Sequence, residues 1–352
     1  MTTTDSRTGE ERKANEQSGG VPGGDAEHPT DIPPKGWFQI AKRGWKEAKA
    51  DQVPFLSAGV AYYAFLALFP ALLALVSLYG LVADPATIAA QVEALAGGAL
   101  PADVQKLITD QINLVASRRA ALSFGVIVGV AIALFSASGG MANLMTAVSL
   151  AYDEEEKRGF IKKRALALVL TLGAIVFMVI MLALIAVLPP LLERLLGGGA
   201  FRWLLQIAGY FLMFVIVAVA LAILYRFAPD RDAPKMKWVS VGALVATVIW
   251  LIVSIGFSIY TSTLGDYAKT YGAIAGIVIL LFWLWLTAYA ILLGAEINAE
   301  AEQQTIRDTT KGPEEPLGSR DAVKADSLPP DKPEMADAER DTGQDRSLGK
   351  KG

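Results

Sequence analysis

Glu296 closes a long uncharged run, in the order Leu293-Gly294-Ala295-Glu296-Ile297-Asn298, and is the acid nearest to the middle of an apolar segment. A carboxyl group so placed can take up and release a proton, or it can cap the run where it meets water. Ser136, Ser138, Gly139, Gly140, Asn143, Thr146 and Ser149 form the densest polar group inside any apolar run. Small residues let helices approach closely, and hydroxyl and amide groups bond across the contact. The same side chains can line a polar pathway, where the Asn143 amide is the strongest single candidate to meet a substrate headgroup. In an earlier run Tyr62 and Tyr63, with Ser57, precede Pro70. Proline removes a backbone hydrogen bond and kinks a helix, which suits a cavity or hinge as well as it suits packing. Tyr62, Tyr63, Pro70, Ser136, Ser138, Asn143 and Glu296 are the candidate substrate pathway.

Catalytic chemistry has fewer places to live. His28 is the one histidine and there is no cysteine, so disulfides, thiolate sites, histidine-ligated metals and a Ser/His/Asp triad are excluded. No Gly-rich phosphate loop of the Walker kind occurs. The run Asp153-Glu154-Glu155-Glu156, followed by Lys157 and Arg158, can hold a divalent cation or form a solvated helix start. Asp266 and Lys269 sit close enough in sequence to pair. No catalytic constellation emerges, so the chain is expected not to be an enzyme and to need no cofactor or metal.

The elements that must position these residues are membrane spans. Uncharged stretches run over residues 52–83, 120–152, 165–192, 203–225, 238–265 and 270–295. A helix needs about 20 mainly apolar residues to cross the hydrocarbon core. None of the six shows the polar face that a soluble helix of that length carries. The expectation is an all-α polytopic membrane protein of six transmembrane helices within 35–302, with spans near 55–81, 122–148, 165–188, 203–225, 238–261 and 272–295. Trp37 and Trp45, beside Lys42, Arg43 and Lys46, predict a surface-lying amphipathic helix before the first span. The longest loop, 84–119, carries Pro85 and Pro101 where short helices can begin. Residues 1–34 and 303–352 are polar and poor in large apolar side chains, which predicts disordered tails. The first 34 residues hold no apolar stretch, so the first span is expected to act as an uncleaved insertion signal.

Charge sets the orientation. The formal net charge of −3 divides into −4 for residues 1–34 (3 basic, 7 acidic), −4 for 300–352 (9 and 13) and +5 between them (20 and 15). Loops before span one, between spans two and three, and between spans four and five hold 14 Lys and Arg, against 6 in the alternate loops. The positive-inside rule therefore places the first group, and both termini, in the cytoplasm. Basic residues scattered over short loops suit anionic lipid rather than nucleic acid. Gly125/Gly129 and Gly272/Gly276 form GxxxG pairs that serve contacts within or between chains, so the oligomeric state is open. No motif repeats between the first and last three spans, so an inverted 3+3 arrangement has no support.

Ala61-Tyr62-Tyr63 through Phe69-Pro70, the stretch Ser136 to Tyr152 with Asn143, and the turn at Pro229 stand in one order with Trp238, Gly242, Trp250, Tyr260, Tyr271-Gly272 and the closing run to Asn298. In order and spacing, over about residues 37–300, they resemble the YihY/BrkB family of bacterial inner-membrane proteins, once labelled ribonuclease BN. The resemblance implies a six-helix fold in the bacterial inner membrane. By analogy it implies a transporter or flippase-like handler of a lipid or other amphiphile, with membrane lipids as partners. A non-catalytic scaffold recruiting partners through the tails is the competing reading. A membrane nuclease would require metal-dependent cleavage through Asp153 to Glu156.

Overall fold

The computed structural model describes residues 21–82, 124–196, 200–263 and 273–329. Seven α-helices lie within them: α1 (Pro34–Ala50), α2 (Val53–Val82), α3 (Phe124–Ala151), α4 (Phe160–Leu196), α5 (Ala200–Phe227), α6 (Met236–Thr263) and α7 (Ala273–Gln303). Helices α2 to α7 are each long and apolar enough to cross a membrane, with spans such as Phe160–Ile185 and Ala275–Gln303. Among the described residues the fold is all helical apart from one isolated bridge, Pro234 to Thr310. The loop 84–119, Asp266, Lys269 and the Gly272 end of one GxxxG pair lie outside the described residues.

Each spanning helix packs on the next in sequence, and α7 also packs on α1, α2 and α3. What admits α7 so closely is missing side chain. A Cβ added at Gly294 would stand 2.6 Å from Ala246 Cβ and 2.7 Å from the Gly242 carbonyl oxygen; one at Gly242 would meet Gly294 and Asn298. Backbones this near can be bridged by polar groups. Asn298 Oδ1 accepts from the Gly242 amide at 2.6 Å, and its Nδ2 donates to the Val239 carbonyl at 3.1 Å. Tyr225 from α5 donates to the Ile291 carbonyl at 2.7 Å. Gly140 does the same service between α3 and α2, against Ala67 and the Tyr63 carbonyl, whereas Gly129 of the other predicted GxxxG pair meets nothing within 4 Å.

Helix α1 starts on Pro34, a residue whose fixed φ and missing amide suit a first turn. It buries Gly36, Ile40, Gly44 and Ala48, one stripe at i, i+4, and packs on α7. Phe38 and Trp45 stay exposed on its outer side, as an amphipathic surface helix requires. Helix α3 ends in a Schellman arrangement: the Glu154 amide reaches the Ser149 carbonyl, the Asp153 amide reaches Leu150, and Asp153 adopts φ 57°.

The expectation of disorder over 1–34 and 303–352 requires correction for the parts described. Residues 21–33 and 304–329 lie against one end of the bundle, together with the α3–α4 and α5–α6 loops. The Ile306 amide donates to the Gly24 carbonyl, the Lys311 amide to Ala233 and the Lys235 amide to Thr309. Buried Arg320 donates to the carbonyls of Ile306 (2.6 Å), Ala325 (2.7 Å), Glu315 and Arg307. Composition forbids these segments a core of their own. They take their order from hydrogen bonds to each other and to loops the bundle already fixes.

Replacing Gly242 by Val is expected to destabilise the bundle by about 1–3 kcal/mol or more through overpacking. Gly129→Ala, with open space around it, is expected to be neutral or slightly stabilising. Denaturation of the detergent-solubilised variants, followed by tryptophan fluorescence, checks both.

Candidate functional site

The structure spreads the sequence-predicted pathway residues over different faces. Tyr62 and Tyr63 are exposed on the outer side of α2, their rings edge to face at 5.3 Å. Pro70 lies within α2. Ser136 is exposed, while Ser138 is buried and donates to the Phe135 carbonyl at 2.7 Å. The Asn143 Nδ2 donates to the Gly139 carbonyl at 2.8 Å, and Thr146 and Ser149 likewise bond one turn back. These polar groups of α3 are satisfied largely by their own helix. Glu296 stands apart from them, near the far end of α7.

Glu296 is fully buried, and the helix runs on for seven residues beyond it. Its neighbours come from the helical period of α7. Residues 296, 300 and 304 share one face, and 298 and 302 share another. On the first face Glu300 Oε2 accepts from Arg43 Nε of α1 at 2.5 Å, Glu300 Oε1 accepts from Lys324 Nζ at 2.8 Å, and Gln304 Oε1 accepts from Arg43 at 2.7 Å. On the second face, Glu302 Oε2 accepts from buried Arg231 at 2.5 Å and from Thr309 at 2.9 Å. The Arg231 guanidinium also lies over the Tyr152 ring, 5.1 Å from its centre.

Asp51, the C-cap of α1, lies within hydrogen-bonding reach of Glu296. Two ionised carboxylates could only accept, so a contact between them requires that one keep its proton. Both oxygens of Glu296 and Oδ2 of Asp51 are buried without a donor. Burial raises Asp51 above the ordinary carboxylate range, and the charges of Asp153 and Glu47 push the same way. Lys324 goes upward for the opposite reason: burial would lower it, but the Glu300 and Asp153 carboxylates beside it outweigh burial and hold the ammonium charged.

A second feature opens at the same end. A cleft of about 690 Å³ is lined by Lys157, Arg158, Phe160, Lys162, Asp230 and Arg231, among others. Asp230 fixes its floor by accepting from the amides of Lys157 and Arg158 at 2.7 and 2.9 Å. Lys157 and Lys162 are exposed, and Phe160 and Ile161, the first residues of the α4 span, are 77% and 81% exposed. Among the described residues no group of three or more His, Asp or Glu is placed to hold a metal ion.

Sequence reading singled out Glu296 but missed its partners. The spacing Glu296, Glu300, Gln304 with Asn298 and Glu302 was visible as two stripes at i, i+4. Arg43, Arg231 and Lys324 carried no comparable signal, since long-range contacts bring them in.

Three comparisons bear on this chain. A model of the family described as Virulence factor BrkB matches residues 45–318. The putative ribonuclease-like protein YfkH of Bacillus subtilis is 34% identical over 255 residues, 69% of this chain and 88% of that relative. A UPF0761 membrane protein of Tolumonas auensis is 32% identical over 117 residues, 33% of this chain and 36% of that one. No solved structure matches.

Arg231 and Glu302 are 1% and 0% exposed at their side chains, which makes them a buried ion pair. Removing one partner of such a pair leaves a bare buried charge and costs about 3–5 kcal/mol. Arg231→Met alone and Glu302→Leu alone are therefore each expected to destabilise strongly, and the double replacement to recover most of the loss. A thermal denaturation cycle over the four proteins reads the coupling directly.

Proposed function

We propose, from the premise that the chain belongs to the Virulence factor BrkB family and is a multi-pass membrane protein, that it is a transporter or flippase-like handler of a lipid or another amphiphile. The observation that carries this reading is the cleft at the start of the α4 span. One wall is charged, with Lys157, Arg158 and Lys162 beside Asp230, Asp232 and Asp321. Of these cations Lys157 and Lys162 are exposed, and the neighbouring surface is apolar, with exposed Phe160 and Ile161. An amphiphile needs both surfaces side by side: cationic donors for an anionic headgroup and apolar contact for its chain. In this reading the cleft end of the bundle faces the cytoplasm of a bacterial inner membrane, since the loops there hold most of the Lys and Arg.

A non-catalytic structural role has one observation in its favour. The hydroxyl and amide groups of α3 bond back onto their own helix, an arrangement that serves packing. The ribonuclease-like name belongs to the Bacillus relative, and no nuclease role is proposed for this chain.

Reconstitution in vesicles of mixed zwitterionic and anionic lipid tests the transport reading. Movement of a fluorescent anionic lipid between leaflets is expected to exceed that of protein-free vesicles, and to fall several-fold in Lys157→Glu with Lys162→Glu. Equal rates with and without protein would leave the structural role. The chain has no cysteine, so Lys162→Cys supplies a single label site. It is expected to react with a membrane-impermeant maleimide in inverted vesicles and not in intact spheroplasts.

A further inference from the structure

Lys324 has an unusual position for a lysine. Its side chain is 5% exposed, with Nζ 2.8 Å from Glu300 Oε1 and 3.0 Å from Asp153 Oδ2. Asp51 and Glu296 lie within electrostatic reach of the same ammonium, and their buried oxygens face no donor. The four carboxyls come from three separate parts of the bundle: the C-cap of α1, the left-handed turn after α3, and the last turns of α7. Each is fixed by local structure that owes nothing to residues beyond 303. Asp153 is held by the Schellman turn, Glu300 by Arg43 and the helix, and Glu296 by the packed interior of α7. The ammonium alone is contributed from outside the bundle.

The charges point the same way. Asp51, Asp153, Glu296 and Glu300 face Arg43 and Lys324, so carboxyls outnumber cations even with Lys324 in place. An ammonium has three donors, of which Glu300 and Asp153 take two, and unpartnered carboxyl oxygens remain beside them. A hard divalent ion suits the place less well, because no group of three acids is arranged to hold one among the described residues. Arg320 is anchored to the Ile306 and Arg307 carbonyls. Beyond it the C-terminal segment is attached to the bundle and its loops by few bonds besides Lys324: the Asp232 amide to the Asp321 carbonyl at 3.3 Å, the Val323 amide to Glu154 Oε1 at 2.8 Å, and Gln303 Nε2 to Ser327 Oγ at 3.0 Å. Lys324 also lies beyond the residues 45–318 that the family match covers.

We propose that this end of the bundle is a binding site for a primary ammonium group, and that the chain fills it with its own Lys324, so that residues 321–329, beyond the anchored Arg320, act as a removable plug. The ligand that takes the place of Lys324 carries a primary amine, either on a soluble molecule or on a lipid headgroup. The site stands whether or not the chain moves lipid, and its test does not depend on transport.

Lys324→Ala removes the four outer side-chain atoms, which propylammonium can replace. The melting temperature of the full-length variant in choline-headgroup nanodiscs is expected to lie below that of the wild type. It should rise saturably by several degrees with propylammonium chloride, and not with 1-propanol or sodium chloride at equal ionic strength. Wild type, its site already filled, should show no such rise. Equal responses of both proteins, or of neither, overturn the proposal. Rescue by ethanolamine-headgroup lipid in place of choline-headgroup lipid would assign the amine to a lipid; rescue by propylammonium alone would assign it to a soluble amine. A second measurement does not depend on the variant folding. In wild-type protein cut at a protease site inserted in the exposed 311–316 turn, propylammonium, but not sodium chloride, should free the Lys324 end of the retained fragment, read as faster hydrogen exchange at the amides of residues 321–327. Exchange at these amides unchanged by propylammonium would overturn the plug.

Discussion

A spanning helix satisfies its own backbone, so the hydrophobic effect does little to choose its neighbours inside a bilayer. Close approach has to do the choosing, and here it happens at Gly242 and Gly294. Without side chains at those two positions α6 and α7 come near enough for the Asn298 amide to bond the α6 backbone twice. Tyr225 then reaches the α7 carbonyl of Ile291 from α5. With α7 seated, α1, α2 and α3 have a common surface to lean on. The last turns of α7 therefore sit where loops and terminal segments converge, and their polar stripes become the organising surface of that end.

Much of the architecture was legible because charge is so costly in a bilayer that its absence over a long run marks a span. The run from Ala165 to Leu192 reads as a span on that ground, and α4 is one. The surface helix before the first span was readable from Trp37 and Trp45 beside Lys42, Arg43 and Lys46. Packing detail was less so. Gly125 and Gly129 fit a motif, yet Gly129 meets open space, while Gly242 and Gly294, in no such motif, carry the closest crossing. A spacing rule sees one helix; the crossing depends on where the second helix arrives.

The site shows the same division. Glu296 stood out as the acid deepest in an apolar run. Its environment did not, because Asp51, Asp153 and Lys324 are distant in sequence and meet only when three helix ends converge. The terminal segments misled for a related reason. A composition rule treats a segment as isolated, and residues 304–329 are anything but isolated. Arg320 alone gathers four backbone carbonyls, and Asp308 accepts from the amides of Thr310 and Glu315. The Thr310 and Glu315 amides, with the Thr310 hydroxyl, hold the Asp308 carboxyl below its ordinary range although burial pushes it up.

That the ammonium of Lys324 arrives on residue 324, after all six spans, bears on how the protein is made. Ribosomal synthesis runs from the N-terminus, so every helix is made before the lysine that neutralises Glu300 and Asp153. During that interval the acids at the end of α7 stand without it, with Arg43 on Glu300 and Arg231 on Glu302 to offset them. The charge balance at this end of the bundle is thus completed by a segment made after the six spans.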